Sequence, residues 1–381
     1  MKRAIVLGGG MVGSAVAADL AAGGEFAVTV ADAREDALER VRQRCGAAVV
    51  HADLSDAYCV RQVVSGQDIV VGALSSGLGL ATMRAVIEAG RNYCDISFMA
   101  EDPRPLSDLA RERGVTVVYD CGVAPGMTNM LAARAAALLQ PCDFIDLYVG
   151  GVPAEPRPPF SYKAGFAPSD VLEEYTRPVR FVEDGKVVMR EALGGVEQLD
   201  FPGIGTLEAF DTDGLRSLVD TLAVPRMREK TMRYPGHASL MRVLRQTGFF
   251  SKEPIDVPGG RVRPLDVTSA LLFPHWTYAP GEADLTVLRV VAEGRRDGAR
   301  TRLTWEMVDR YDPSTDTRSM SRTTGFPAAI VARLIASGRF AEPGVHPPEI
   351  PARDTALLDH VLAELAKRGV RYVPSVERLD G

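Results

Sequence analysis

Arg3-Ala-Ile-Val-Leu-Gly8-Gly-Gly10-Met11-Val12-Gly13 is an apolar strand running straight into a G-x-G-x-x-G turn, and Ser14-Ala-Val-Ala-Ala-Asp-Leu20 continues it with helical spacing. Strand, glycine turn and helix in that order open a dinucleotide-binding βαβ unit. Gly8 permits the tight turn, Gly10 lets the backbone approach a pyrophosphate, and Gly13 lets helix and strand pack closely. The free N–H groups at Met11, Val12 and Gly13 then face the anion. A second apolar strand, Phe26-Ala-Val-Thr-Val-Ala-Asp32, ends in an acid nineteen positions after Gly13, near the spacing of about 20 expected of a ribose-binding carboxylate. Such a carboxylate accepts hydrogen bonds from both ribose hydroxyls and repels a 2′-phosphate, so NAD is expected rather than NADP. Arg34, two residues on, is a cation able to meet a phosphate and weakens that preference.

Working outward, the chain of 381 residues exceeds what one core holds, since single cores stop growing at about 250–300 residues. The expectation is an α/β protein: a Rossmann doubly wound parallel sheet over residues 1–125, followed by a second, α+β domain over 126–321. The C-terminal segment 322–381 is a candidate completion of the first domain. A net charge of −6, with basic residues scattered, gives no footprint for nucleic acid or an anionic membrane surface. No run approaches the ~20 apolar residues of a membrane span, and the first strand follows Met1 without room for a signal peptide, so a cytoplasmic protein is expected. Cys45, Cys59, Cys94, Cys121 and Cys142 are odd in number and show neither C-x-x-C nor Cys/His metal spacing. Reduced thiols and no metal site are expected.

Up to about residue 125 the pattern alternates strands near 3–7, 26–31, 47–50, 68–73, 92–96 and 115–119 with helices near 11–22, 34–44, 56–64, 78–89 and 103–113. Ligands collect outside the carboxyl ends of such strands. Asp53 after the third strand, and Ala73 and Ser75 after the fourth, are therefore expected at the cofactor. Gly150-Gly-Val-Pro-Ala-Glu-Pro-Arg-Pro-Pro159 reads as a proline-rich connection. Shorter strands follow near 178–183, 186–189, 285–293 and 302–310, with a helix near 237–247. A helix from Thr323 to Arg339, with Pro327 in its first turn, another near 353–368 and a short strand at 370–373 complete the chain.

Two strand ends carry polar residues where chemistry is expected. Tyr93-Cys-Asp95-Ile-Ser97 closes the fifth strand, and Tyr119-Asp120-Cys121-Gly-Val-Ala-Pro-Gly-Met-Thr-Asn129 follows the sixth. Oxidation of an amine or alcohol sheds a proton to a nearby base. Asp95 fits that role or an orienting one; capping the next helix is its alternative. Cys121 has no neighbouring histidine and reads as a packing residue. Pro125-Gly126 favours a tight turn, after which Thr128 or Asn129 caps a helix whose start suits a carboxylate. Further on, Arg233 in Lys230-Thr-Met-Arg-Tyr-Pro-Gly-His237 presents a planar fork to carboxylates. Tyr162, Lys163 and His237 are its companions, each open to a plain role as an ion pair, a cap or a core residue. Asp211-Thr-Asp213-Gly lacks the later ligands of a calcium loop and reads as a turn.

These motifs, together with Gly150-Gly-Val-Pro153, the stretch from Leu207 to Leu215, and Thr323-Thr-Gly-Phe-Pro-Ala-Ala329, occur in the order that resembles the saccharopine dehydrogenase-like family over nearly the whole chain. The resemblance implies a Rossmann domain, a second domain supplying substrate and dimer contacts, hence a homo-oligomer, and a small amino-acid or amine substrate. Within the family, the length and the Val-Ala-Pro-Gly-Met-Thr-Asn turn look most like the lysine 6-dehydrogenases, because other branches carry aspartate where this chain has Ala124. That branch implies NAD-dependent oxidative deamination of the terminal amine of L-lysine to the semialdehyde and ammonia. Arg233, Tyr162, Asn129 and Thr324 would hold the substrate, and Asp95, Lys163 or His237 would move the proton. The alternatives are an NAD(P)H-dependent reductive condensation of an amine with a carbonyl compound, and a non-catalytic protein that senses NAD.

Overall fold

A computed structural model describes residues 1–379. In chain order its elements begin with β1 (Lys2–Leu7), α1 (Met11–Ala22), β2 (Phe26–Asp32), α2 (Glu35–Cys45), β3 (Ala48–His51), α3 (Ala57–Val64), β4 (Ile69–Gly72), α4 (Gly79–Glu88), β5 (Tyr93–Asp95), α5 (Ser107–Glu112), β6 (Thr116–Val118) and α6 (Met127–Leu138). The middle of the chain forms β7 (Cys142–Pro153), α7 (Pro168–Thr176), β8 (Val179–Glu183), β9 (Lys186–Arg190), β10 (Glu197–Phe201), β11 (Gly205–Asp211), α8 (Leu218–Thr221), β12 (Met227–Arg233), α9 (His237–Gln246), β13 (Ile255–Val257), β14 (Gly260–Val262), α10 (Pro264–Trp276), β15 (Asp284–Arg296) and β16 (Ala299–Arg310). It closes with α11 (Ser319–Ala336), β17 (Gly344–His346), α12 (Thr355–Lys367) and β18 (Val373–Arg378). The chain divides into two compact units, Met1–Arg134 with Ser321–Arg371, and Ala135–Met320 with the residues from Tyr372 on.

The first unit is a Rossmann-like parallel sheet of seven strands in the order β17-β6-β5-β4-β1-β2-β3. Ala4, Ile5, Val6 and Leu7 of β1 are fully buried, as a strand covered on both faces requires. The chain runs from β1 outward to β3, then returns to pair β4 on the other flank of β1. That reversal opens a crevice at the carboxyl ends of β1 and β4.

The second unit is a mixed sheet of nine strands in the order β10-β11-β12-β7-β15-β16-β18, with β8 joining through β12 and β9 through β8. Helices α7, α9 and α10 contribute Tyr175, Met241 and Trp276 to one of its cores, which also takes Phe210 from β11. A second core is built from strand residues, among them Tyr148, Leu207, Met232 and Val287.

Several boundaries differ from the sequence reading. The supposed linker at Gly150 is the end of a strand of twelve residues, β7. A Cβ at Gly150 would lie 2.6 Å from the Met232 carbonyl, so the glycine permits close pairing here and does not break the strand. Helix α11 begins at Ser319, which places Pro327 inside it. Its start is fixed by Asp284, whose carboxylate accepts the N–H groups of Ser319 at 2.6 Å and Met320 at 3.0 Å. The strand expected at 370–373 forms later, as β18 beside β16. Among the described residues, no helix is long and apolar enough to cross a membrane, and no cluster of metal-ligating side chains occurs.

Candidate active site

The turn between β1 and α1 is shaped by what its glycines lack. Gly8 has φ +103°, and a Cβ there would stand 2.4 Å from the Ala73 carbonyl oxygen; one at Gly13 would stand 1.9 Å from the Gly8 carbonyl oxygen. Both glycines are therefore demanded by the closeness of β1, α1 and the end of β4. Gly10 is different: the nearest atom to its Cβ position is the Arg34 Nη2, 3.8 Å away. The chain leaves space in front of it. No side chain caps α1 and no acid stands in its first turn, so the helix start presents N–H donors and its positive end. This is a cradle that fits a pyrophosphate. At the end of β2, Asp32 accepts the Gly9 N–H at 2.7 Å and the Arg34 N–H at 2.8 Å. Oδ2 keeps a second lone pair for a ribose hydroxyl, while Oδ1 also takes the Arg34 Nε–H at 3.4 Å. Ala73 is bound to β1 through its N–H and the Leu7 carbonyl at 2.8 Å, and Ser75 precedes a turn of 3-10 helix. Asp53 is exposed and closes an Asx turn on Ser55, at 2.9 Å to its N–H and 2.6 Å to its hydroxyl.

At the end of β5, Asp95 is fully buried. Its carboxyl accepts the Tyr93 hydroxyl at 2.8 Å, the Ser97 N–H at 3.1 Å, and the Ser97 hydroxyl. Burial pushes it up to about 7, against the pull of those hydrogen bonds. Burial also holds the Tyr93 phenol far above its ordinary value, so it remains a donor. Sequence reading missed Gly72, whose Cβ would collide with the Tyr93 hydroxyl at 1.9 Å and with Asp95 at 2.2 Å. The signal lay in a glycine closing an otherwise apolar run, Ile69-Val-Val-Gly72.

The turn after β6 uses Asn129 for itself. This residue is fully buried; its Oδ1 accepts the Gly126 N–H at 3.1 Å and the Thr128 hydroxyl at 3.2 Å, while its Nδ2 faces Glu349 at 3.5 Å. The geometry departs from the expected substrate contact: the amide holds the turn. Thr324 packs on the same turn, its Cγ2 3.0 Å from the Cβ position of Gly122. Glu349, fully buried, went unnoticed in Pro347-Pro348-Glu349, where nothing local marks a carboxylate for burial.

In the second unit, Arg233 lies 4.6 Å over the Tyr162 ring and donates to Glu174 at 2.8 Å and to the Met232 carbonyl at 3.0 Å. Its side chain is only 3% exposed. The fork expected to clamp a substrate carboxylate is thus committed to Glu174, and its Nε alone has no hydrogen-bond partner among the described residues. His237 is also corrected. A carbonyl only accepts, so the contact of Nδ1 with the Phe160 oxygen at 3.1 Å puts the proton on Nδ1, and Nε2 then accepts the Tyr175 hydroxyl at 2.9 Å. Burial, then the Arg233 charge, pushes His237 down to about 3, and with both ring nitrogens bonded the side chain stands as a neutral bracket in place of the expected proton carrier. Tyr162 is buried against His237 and Trp276. Lys163, 22% exposed, pairs with Glu282 at 2.6 Å and with the Thr277 carbonyl at 3.0 Å.

Residues 4–118 match the saccharopine dehydrogenase NADP binding domain, and residues 122–370 match the saccharopine dehydrogenase C-terminal domain. Carboxynorspermidine synthase of Vibrio cholerae is 25% identical over 73% of this chain and 71% of its own length. Carboxyaminopropylagmatine dehydrogenase of Synechocystis is 23% identical over 98% of this chain and 97% of its own. Among solved structures, the apo saccharopine dehydrogenase (L-Glu forming) of Saccharomyces cerevisiae shares the fold, with a TM-score of 0.81 at 18% identity over 99% of this chain and 100% of that one.

Proposed function

The chain belongs to the saccharopine dehydrogenase family of NAD(P)-dependent oxidoreductases acting on amine-derived substrates, and from that premise we propose that it oxidises the terminal amine of an amino acid, L-lysine first, with NAD as acceptor. The amine carbon gives up a hydride to NAD and water adds to the imine that is left, so the products are the semialdehyde, ammonia and NADH. The observation that carries this reading is Asp95, a buried carboxyl held near 7 at the carboxyl end of the sheet that bears the glycine cradle. A lysine ammonium, with a pKa of about 10.4, has no lone pair at neutral pH and must lose a proton before its carbon gives up hydride. Asp95 is ionised above pH 7 and fits as the acceptor of that proton, with Ser97 and Tyr93 steadying the carboxylate. A bound dinucleotide supplies the hydride acceptor. Asp32 supports NAD over NADP, and Ala124 sets the turn apart from branches with aspartate there. We place the enzyme in the cytoplasm as a homo-oligomer, with the apolar Val243 and Leu271, 60% and 64% exposed on α9 and α10, as candidates for the contact between copies.

A second reading draws on the two relatives, both named for carboxyalkylated amines: the chain instead forms or oxidises a secondary amine. Absorbance at 340 nm with NAD or NADP, run against L-lysine, saccharopine and carboxynorspermidine and paired with an ammonia assay, separates the two. The expected result is NADH and ammonia from lysine, rising through pH 7, with Asp95→Asn slower by about 100-fold or more. Reduction without ammonia, from a secondary amine, selects the second reading. No reduction with any amine overturns both and leaves a nucleotide-binding sensor.

A further inference from the structure

Within the second unit, α7, β9 and α9 all end on one cleft of about 430 Å³, lined by Thr176, Arg177, Arg190, Glu191, Arg245 and Gln246. Small-molecule sites run to ~300–1,000 Å³. No aromatic side chain lines this one among the described residues, so it offers charge and hydrogen bonds rather than an apolar bed. Three guanidinium groups stand there against one carboxylate. Arg190 uses Nη2 alone, on Glu183 at 2.7 Å, and its Nε and Nη1 have no partner among the described residues. Both members of that pair are about half exposed, at 48% and 40%. Arg245 donates through Nη1 to the Ala192 carbonyl at 2.6 Å and the Tyr175 carbonyl at 3.5 Å, and through Nη2 to Glu191 at 3.1 Å. Glu191 is 87% exposed, so this last bridge is a surface pair that another anion can replace. The carbonyl end of α7 would repel an anion, and Arg245 is the cation that covers it.

We propose that this cleft is an accessory binding site for a small polar oxyanion, a phosphate ester or a dicarboxylate, which Arg190 and Arg245 grip in place of Glu191 while Arg177 adds charge. A guanidinium meets either group with two parallel N–H donors. Thr176 and Arg177 follow directly on Glu174 and Tyr175, the residues that hold Arg233 and His237. A bound anion therefore fixes the end of the helix that carries this buried network.

Inorganic phosphate and succinate serve as probes, titrated by calorimetry in about 0.1 M NaCl into the full chain as wild type, Arg190→Ala, Arg245→Ala and Glu191→Gln, each checked by thermal melting. In the wild type at least one of the two anions binds with a Kd below about 1 mM, and the tighter of them names the ligand class. Each arginine variant weakens that binding by about tenfold or more, while Glu191→Gln, which removes the competing charge, leaves it unchanged or tighter. Arg245→Ala also uncovers two carbonyl groups; if it fails to fold, Arg190→Ala decides, since Arg190 is half exposed on a strand that pairs only with β8. A Kd above about 1 mM for both anions overturns the assignment. So does binding that Arg190→Ala weakens by less than about tenfold, which places the anion elsewhere, the glycine cradle included, and so does binding lost with Glu191.

Discussion

An imidazole with a free pKa near 6.5 changes charge where enzymes work, yet His237 is built to stay neutral. Both of its nitrogens are used, Nδ1–H toward the Phe160 carbonyl and Nε2 toward the Tyr175 hydroxyl, and the Arg233 charge stands nearby. The ring is therefore a bracket joining α7, α9 and the segment before Tyr162. Because its folded value of about 3 lies below the unfolded one, its contribution is present above pH 6.5 and is lost as pH falls toward 3. His237→Ala should lower stability at pH 7.5 by about 2–3 kcal/mol, since it leaves the buried Tyr175 hydroxyl without an acceptor, and should flatten the loss between pH 7.5 and 5. Urea unfolding at the two pH values measures this, and the pH profile of kcat/KM above pH 5 should not move; a vanished limb in that profile would restore His237 as a proton carrier. The sequence displayed Arg233-Tyr-Pro-Gly-His237 plainly enough. It concealed Glu174, 59 positions earlier, because the pairing depends on how α7 packs and not on any local pattern.

At the scale of elements, the strands of the first unit were legible because a strand covered on both faces is an apolar run, as in β1 and β4. Strand β12 carried no such mark. Met227-Arg-Glu-Lys-Thr-Met-Arg233 is mostly polar, yet all but Arg228 is buried, its polar groups being answered by other side chains rather than by water. Lys230 meets Glu197 at 2.8 Å, and Glu229 accepts the Thr212 hydroxyl at 2.7 Å. Gly214 makes room for Glu229, since a Cβ there would sit 2.3 Å from the carboxyl carbon. Burial pushes Glu229 up to about 8, helped by the charges of Glu174 and Asp213 and opposed by the Thr212 hydrogen bond. The folded chain then keeps this proton after the unfolded chain has released it, so the contribution of Glu229 is full below pH 4.5 and is lost as pH rises through 8. Glu229→Gln, of equal shape and without a proton to lose, should flatten that decline by on the order of 3 kcal/mol between pH 5 and 9. Unfolding midpoints at those two pH values check it; parallel declines in variant and wild type would mean that Glu229 is ionised in the folded chain.

For the molecule as a whole, the Rossmann-like unit is finished by residues that come after the other unit. Strand β17 pairs with β6 at the sheet edge, and Gly325 of α11 comes so close to α1 that a Cβ would lie 3.1 Å from Val16. Sequence patterns reported the late helix but not the ionic tie that fastens it, since Asp19 lies on α1 more than 300 positions before Arg333 and Arg368. Asp19 accepts from both arginines, and Arg368 is also bound by Glu364 at 2.7 Å. Removing the shared carboxylate strips one of two acidic partners from each of two largely covered guanidinium groups, since Arg333 keeps Glu25 and Arg368 keeps Glu364. Asp19→Ala should therefore cost about 1–3 kcal/mol, less than breaking a fully buried pair removes, because each arginine retains a second acid and some solvent. The dinucleotide cradle lies at the opposite end of α1, at Gly10 and Met11, so NADH affinity measured on the folded variant should stay within threefold. Urea unfolding with and without NADH tests both halves of the expectation: an unchanged midpoint would show that the apolar contact of α11 on α1 suffices to close the unit, and a collapsed affinity would show that the tie positions the cradle itself.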